Sequence, residues 1–488
     1  MPHVNTPQTH CRLGAARGDI TPPVGIYHRM WGAASHDRST GIHRLLTATV
    51  LAIRSDGATT ASSDGGMVVV SLDHCILGES DIDNIRRHVA ESTSFQFSQV
   101  HVSLTHTHGA GLMMRDRADL PGGDLIVPYL EEVARRVGSL AREAEQSLRP
   151  ASIVYGVGRC NLAAHRDFFD TRRGGYVCGF NPNQRADDTV MVGRATDSQR
   201  RTIATIVNYA CHPTTLAWEN TLISPDYLGA MRETTESMTG GAPCLFLQGA
   251  SAELGPREGF VGDVQIADRN GRQLAYAALS VLESLPPPAT RFEYTGAVIS
   301  GAVLGTWRHI PVEARETAAL SQSRCRKWVV DLPYRADRPT LVETRTERER
   351  LIALEQLARQ NGDVAADQDL RAKVEQMTRQ IMRLEALPPG DAFPLPVAVY
   401  QLGAAVWVFV AGEHYSVLQT TLRNRFPNLA ILVATITDGW QPGYLPQASV
   451  YGKGIYQESI AMVAPGSLER VIEEIVGQIE KWNGDLPK

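Results

Sequence analysis

Val100-His101-Val102-Ser103-Leu104-Thr105-His106-Thr107-His108-Gly109 decides how this chain is read. It predicts a strand that ends in two histidines two residues apart. Strand side chains alternate between faces, so His106 and His108 leave on one face and converge on one centre. Gly109 and Gly111 then permit a tight turn that leaves both rings open to solvent or a substrate. Paired imidazoles at a strand mouth begin many metal sites. The competing reading is a hydrogen-bonded histidine pair that caps a sheet.

Working outward, short apolar runs predict further strands at 47–53, 67–72, 99–104, 202–209, 243–247, 397–400, 405–410 and 429–436. Amphipathic spacing predicts helices at 80–91, 126–146, 227–239, 268–285, 415–425 and 467–482. Strands alternating with helices imply an α/β core with a mixed sheet and flanking helices. Residues from about 313 to 387 break the pattern. Leu351, Leu354 and Leu357 fall at helical spacing, and after Asn361-Gly362-Asp363 the residues Leu370, Val374, Met377, Ile381 and Leu384 repeat at four and three. That is the seam of an inserted helical hairpin packed on the domain, with charges elsewhere. A partner-binding coiled coil is the alternative.

Composition narrows the function classes. Hydrophobic residues make up 43% of the 488 and charged ones 21%, as in ordinary globular proteins. A net charge of −5 without a basic run offers nothing to nucleic acid or an anionic membrane. No apolar run approaches the roughly 20 residues of a membrane span, and the start lacks the basic and apolar regions of a secretory signal. Seven scattered cysteines fit a reducing interior better than a disulfide framework. The expectations are a cytoplasmic address, a small-molecule substrate and a homodimer as one open oligomeric state.

Three more candidate ligands each sit just past an apolar run: His212 in Cys211-His212-Pro213, Glu413 in Ala411-Gly412-Glu413, and Tyr444 in the turn-rich Asp438-Gly439-Trp440-Gln441-Pro442-Gly443-Tyr444. Chemistry on open sheets gathers beyond strand ends. Singly, each has a plainer reading: a loop histidine, a helix-start acid and a rim aromatic. Asp73-His74 reads either as an outer pair that orients a ligand or as a turn. Asp226 reads as a helix N-cap, and Cys211 and Cys244, lacking a base, as structural.

In combination these motifs resemble the neutral ceramidase family of zinc amidases. The resemblance rests on Thr105-His106-Thr107-His108-Gly109, Asn208-Tyr209-Ala210-Cys211-His212-Pro213, Gly412-Glu413 and Gly443-Tyr444, flanked by Gly18-Asp19-Ile20-Thr21-Pro22-Pro23 and Gly454-Ile455-Tyr456. It spans about residues 12–470, a catalytic domain alone, and leaves 471–488 as a helix end and tail. It implies one Zn²⁺ per chain held by His106, His212, Glu413 and Tyr444. It further implies His108 as the proton-transfer group, Arg166 on the substrate carbonyl oxygen and Tyr456 near the substrate. Whether a Ca²⁺ or Mg²⁺ is also bound is left open.

One departure bears on substrate. The family's serine beside the reacting carbonyl corresponds to Gly255 in Ala252-Glu253-Leu254-Gly255-Pro256. The expectation is a zinc-dependent hydrolase that cleaves an N-acyl amide with a metal-bound hydroxide, on a substrate more soluble than ceramide. Ester, lactone or sugar-linkage hydrolysis on the same fold is the first alternative. A binding protein with a structural zinc is the second, and a metal-dependent amidohydrolase barrel the third.

Overall fold

Gly66–Leu72 is buried along its whole length, so both faces of its sheet must be covered. The computed structural model describes residues 2–55 and 66–484. Gly66–Leu72 lies in an eight-stranded sheet ordered Cys244–Gln248, Thr202–Tyr209, Thr189–Asp197, Arg149–Arg159, Gln8–Asp19, Thr47–Ser55, Gly66–Leu72 and Val100–Leu104. The outermost pair at each end is parallel and the rest are antiparallel, so the sheet is mixed. A second sheet orders Ser323–Pro333, Ala392–Leu402, Ala405–Val410 and Ala430–Ala434.

The two sheets stack face to face. Leu51, Ile53, Met67 and Val69 of the larger meet Trp407, Phe409 and Leu432 of the smaller. Each such side chain contributes about 1.5–3 kcal/mol by leaving water. On the outer face of the larger sheet, Val68, Val70 and Leu72 pack under helices Glu79–Ser92 and Ile126–Gln146, through Ile85, Val133 and Val137. Val192, Val207 and Phe246 pack under Tyr227–Met238 and Val264–Ser284. Helices Val417–Arg425 and Ser467–Gly484 cover the smaller sheet. Four layers result: helices, sheet, sheet, helices. This is the α/β core with flanking helices that the alternating pattern implies.

Gln8–Asp19 is absent from the predicted strands. Its run Gln8-Thr9-His10-Cys11-Arg12-Leu13-Gly14 looks too polar and glycine-broken, yet it is a central strand. Gly14 explains why: a Cβ there would lie 1.9 Å from the Ala144 carbonyl of the covering helix. The glycine lets the helix sit directly on the sheet.

The stretch expected to be helical from about 313 also differs. Ser323–Pro333 is a strand paired along its length with Ala392–Leu402. The helical pair is confined to Leu341–Gln360 and Val364–Glu385. Within it Leu351 is buried, but Leu354 and Leu357 are exposed. On the second helix the buried residues are Glu375, Gln380 and Arg383 rather than the apolar seam. Its polar face is turned to the domain: Arg371 pairs with Asp37 at 2.6 Å and Arg379 donates to the Met30 carbonyl. Among the described residues no helix is long and apolar enough to cross a membrane.

Candidate metal centre

The strand that begins at Val100 ends at Leu104, short of both histidines, so strand alternation does not set their direction. A backbone kink does. His106 has φ 67°, in the left-handed region, and its N–H donates to the His74 carbonyl at 2.9 Å. Thr105 Oγ1 donates to Asp73 at 3.0 Å, and Arg232 clamps the same carboxylate. Asp73 and His74 thus shape the turn that carries His106. His108 opens the short helical turn His108–Ala110.

His106 Nδ1 lies 2.9 Å from the Cys75 carbonyl, and His212 Nδ1 lies 2.8 Å from the Ser251 carbonyl. A carbonyl only accepts, so each Nδ1 carries a proton and Nε2 is the nitrogen left to ligate once a cation displaces any proton there. Both Nε2 atoms face Glu413. Its Oε2 lies 3.2 Å from His106 Nε2 and 3.0 Å from His212 Nε2. His106 Nε2 is buried with no aligned hydrogen bond. Donor atoms of His106, His212 and Glu413 all fall within 4.8 Å of one another. Two imidazoles and a carboxylate, drawn from three distant segments, make a donor set suited to Zn²⁺.

One strained residue ties the segments together. Ile436 has φ 52°, a conformation that costs a β-branched residue about 1–3 kcal/mol. Its N–H donates to Gly412 at 3.0 Å and its carbonyl accepts from Leu104 at 3.2 Å. It thereby couples the residue before Glu413 to the strand before His106. Asp438 continues the seam, accepting from the Val102 N–H at 2.8 Å.

Tyr444 pairs in register with Glu413 in a two-strand bridge. Its hydroxyl is 3.5 Å from His212 Nε2 and accepts from Arg166 Nη2 at 3.1 Å. Arg166 Nη2 also donates to the Ala252 carbonyl, while its Nε is buried without a partner. The His108 ring centroid is 5.0 Å from that of His106 and 6.1 Å from that of His212, and both its ring nitrogens are buried and unpartnered. Tyr456 is half-exposed, its ring 5.8 Å from that of Tyr444. All seven residues named from the sequence therefore gather in one place.

Electrostatics divide the histidines. Burial works against charge on Glu413, but His106 and His212 hold its carboxyl well below the usual range. Burial also opposes a charged His106, yet the Cys75 thiol and Glu413 outweigh it and drive that imidazole well upward. His212 is pushed down to about 4 by burial and by Arg166. His108 is driven well down by burial and by its two neighbouring histidines, so it is a neutral imidazole at pH 7. Burial and Glu413 push the Tyr444 phenol up; a nearby cation is needed to ionise it.

Four residues of the site escape the sequence reading. Cys75 Sγ lies 3.6 Å from His106 Nδ1. The Trp31 ring lies 5.1 Å from that of His108. Thr214 Oγ1 is buried and unpartnered, 3.7 Å from where a Gly255 Cβ would be. Ile436 completes the set. Cys75, directly after Asp73-His74, and Thr214, two residues past His212, lay beside motifs. Asp226 does cap its helix, accepting from the Tyr227 N–H.

No family model matches the sequence, and no curated protein sequence matches it. Solved structures do. A neutral ceramidase from Pseudomonas aeruginosa superposes at TM-score 0.64 and 14% identity, over 99% of this chain and 76% of that one. The fold is neutral-ceramidase-like. A ceramidase complexed with C2 gives TM-score 0.66 and 13% identity over the same shares. At such identity the likeness concerns the fold alone, and what the site does follows from its own residues.

Proposed function

We propose that the chain is a zinc-dependent hydrolase that cleaves an amide of an N-acyl small molecule. The observation that carries this reading is the convergence of two imidazole Nε2 atoms and one carboxylate, beside a neutral imidazole and a buried arginine with a free N–H. The ceramidases that share the fold suggest the amide bond.

His106, His212 and Glu413, with Tyr444 as a fourth ligand, would hold the Zn²⁺, which would supply Lewis-acid chemistry toward a carbonyl and a water. The Cys75 and Ser251 carbonyls hold the two imidazoles in the tautomer that can ligate. His108, neutral and free at both nitrogens, takes the proton from the attacking water and delivers it to the departing nitrogen. Arg166 is already oriented by the Ala252 carbonyl and Tyr444, so its free Nε–H meets the carbonyl oxygen as negative charge develops. Tyr456 lies at the rim, where it contacts the rest of the substrate. All seven cysteines are free thiols, which suits a cytoplasmic protein.

The test is metal content by elemental mass spectrometry on the wild type and His212→Ala, followed by turnover of N-acyl amides, esters and lactones. About one zinc per chain, lost in the variant together with amide hydrolysis, is expected. Zinc indifferent to His212, or turnover of esters alone, overturns the reading.

A further inference from the structure

The second hairpin helix, Val364–Glu385, bridges two sides of the site. Arg379 donates to Met30, next to the Trp31 that packs on His108, and the Arg383 carbonyl accepts from Gln441 at 3.3 Å, in the loop that leads to Tyr444. Arginines are plentiful along this contact and carboxylates are few. Glu375 takes both Arg117 at 2.9 Å and Arg379 at 2.7 Å. Asp37 takes Arg371. Neither carboxylate pairs with Arg383 among the described residues.

Arg383 is more than nine-tenths buried, at 8% exposure. Its side chain hydrogen-bonds only to Gln380 Oε1, through Nη2 at 2.8 Å and Nε at 3.2 Å, and it forms no ion pair among the described residues. Burial works against its charge and so does the neighbouring Arg379, while Tyr456, Tyr444 and Glu413 favour it. Glu413 cannot serve as counter-ion, because His106 and His212 engage it. A cation in a helix's last turn is favoured by the dipole, but that effect needs no burial. Taking a guanidinium out of water without a carboxylate is costly unless a ligand brings one.

We propose that Arg383 is a specificity residue, and that the substrate of this site carries a carboxylate close to its scissile amide, as an N-acyl amino acid does. The inference rests on the hydrolase reading for the amide, though not for the anion. A planar fork with one unmatched charge suits a monoanionic carboxylate, which takes two parallel N–H donors. The helix that carries Arg383 meets the site at Gln441, three residues before Tyr444, so a carboxylate held there would lie on the hairpin side of the reacting groups.

The test is calorimetric binding of N-hexanoylglycine and its neutral primary amide, N-hexanoylglycinamide, to the wild type, Arg383→Gln and Arg383→Lys, with turnover of both followed alongside. The wild type should bind the acid about tenfold or more tighter than the amide. Arg383→Gln should bind the two within about twofold, and Arg383→Lys should keep part of the preference. Circular dichroism separates misfolding from lost recognition, and the lysine variant retains the charge if the glutamine variant does not fold. Equal binding of acid and amide by the wild type, binding of neither, or a preference that survives Arg383→Gln overturns the proposal. Tight binding of the acid without cleavage would sink the hydrolase reading and leave this one standing. Cleavage of both without preference would do the reverse.

Discussion

The site has two halves built on different physics. One half hangs from sheet ends: His106, His212, Glu413 and Tyr444 follow strands and are fixed by backbone hydrogen bonds and two left-handed residues, His106 and Ile436. The other half is the hairpin helix, which meets the site through arginines and a single shared glutamate. The sheet half fixes its side chains through backbone hydrogen bonds and suits chemistry. The hairpin half positions charge and suits selection among substrates. A protein built this way can change what it recognises by altering one helix, while the reacting groups stay in place.

The comparison breaks most sharply within the sheet half. His106→Ala or His212→Ala should remove the metal and all activity, because each supplies one of the converging His106, His212 and Glu413 donors. His108→Ala should retain the metal and slow turnover by about 10²–10⁴-fold, the usual worth of a general acid–base. Elemental analysis alongside kcat reads both. Equal metal loss in all three variants would contradict the separation of His108 from the ligands.

Arg166→Gln should leave metal content unchanged and lower kcat by about 10²–10³-fold with little change in KM, since an oxyanion donor acts in the transition state. A rise in KM at constant kcat would instead place Arg166 with the recognising cations and erase the boundary between halves.

How much of this was legible follows the same boundary. The sheet half is readable because its residues stand beside local signals: an apolar run, then a turn, then a histidine or an acid. The physical route was different, since the strand stops at Leu104 and the left-handed turn at His106, not alternation, sets the rings. The contacts that hold the half together, Ile436 to Leu104 and Gly412, are long-range and leave no mark on sequence. The hairpin half was legible as a pair of helices, but not in what its charged residues touch. The spacing of Leu370, Val374, Met377, Ile381 and Leu384 marks the seam between the helices and only places the charges elsewhere. Glu375 and Arg383 are buried, because the surface they cover is polar. Periodicity reports where apolar residues gather but not what faces the rest of a helix.

Acid should separate the halves next. Burial pushes His74, His212 and His414 of the sheet half down to about 4. A histidine depressed in the fold stays neutral there while the unfolded chain takes up a proton near 6.5. Stability is therefore complete above that pH and is lost as pH falls toward 4, by at most about 3 kcal/mol for each histidine. The hairpin's arginines do not titrate in this range. Denaturation midpoints of the metal-free protein at pH 7, 6 and 5 should fall steadily. Hydrogen exchange should show the turns around His74 and His212 opening before the helix Val364–Glu385. Flat midpoints, or a hairpin that opens first, would remove the distinction.

The smallest effect sharpens the sheet half from inside. A Cβ at Gly255 meets only Thr214 Oγ1 at 3.7 Å and Arg166 Cδ at 3.9 Å, both ordinary contacts. Gly255→Ser should therefore fold without displacing backbone. Its hydroxyl would reach the unpartnered Thr214 Oγ1, and one such hydrogen bond changes stability by about 1 kcal/mol or less. Gly14→Ala is the contrasting case, because its Cβ would run into a helix carbonyl at 1.9 Å. If Gly255→Ser is as destabilising as Gly14→Ala, the space beside Arg166 is not open. If it is neutral and lowers KM for neutral N-acyl amides, that hydroxyl meets the substrate, and the sheet half shares in selection that the hairpin was thought to perform alone.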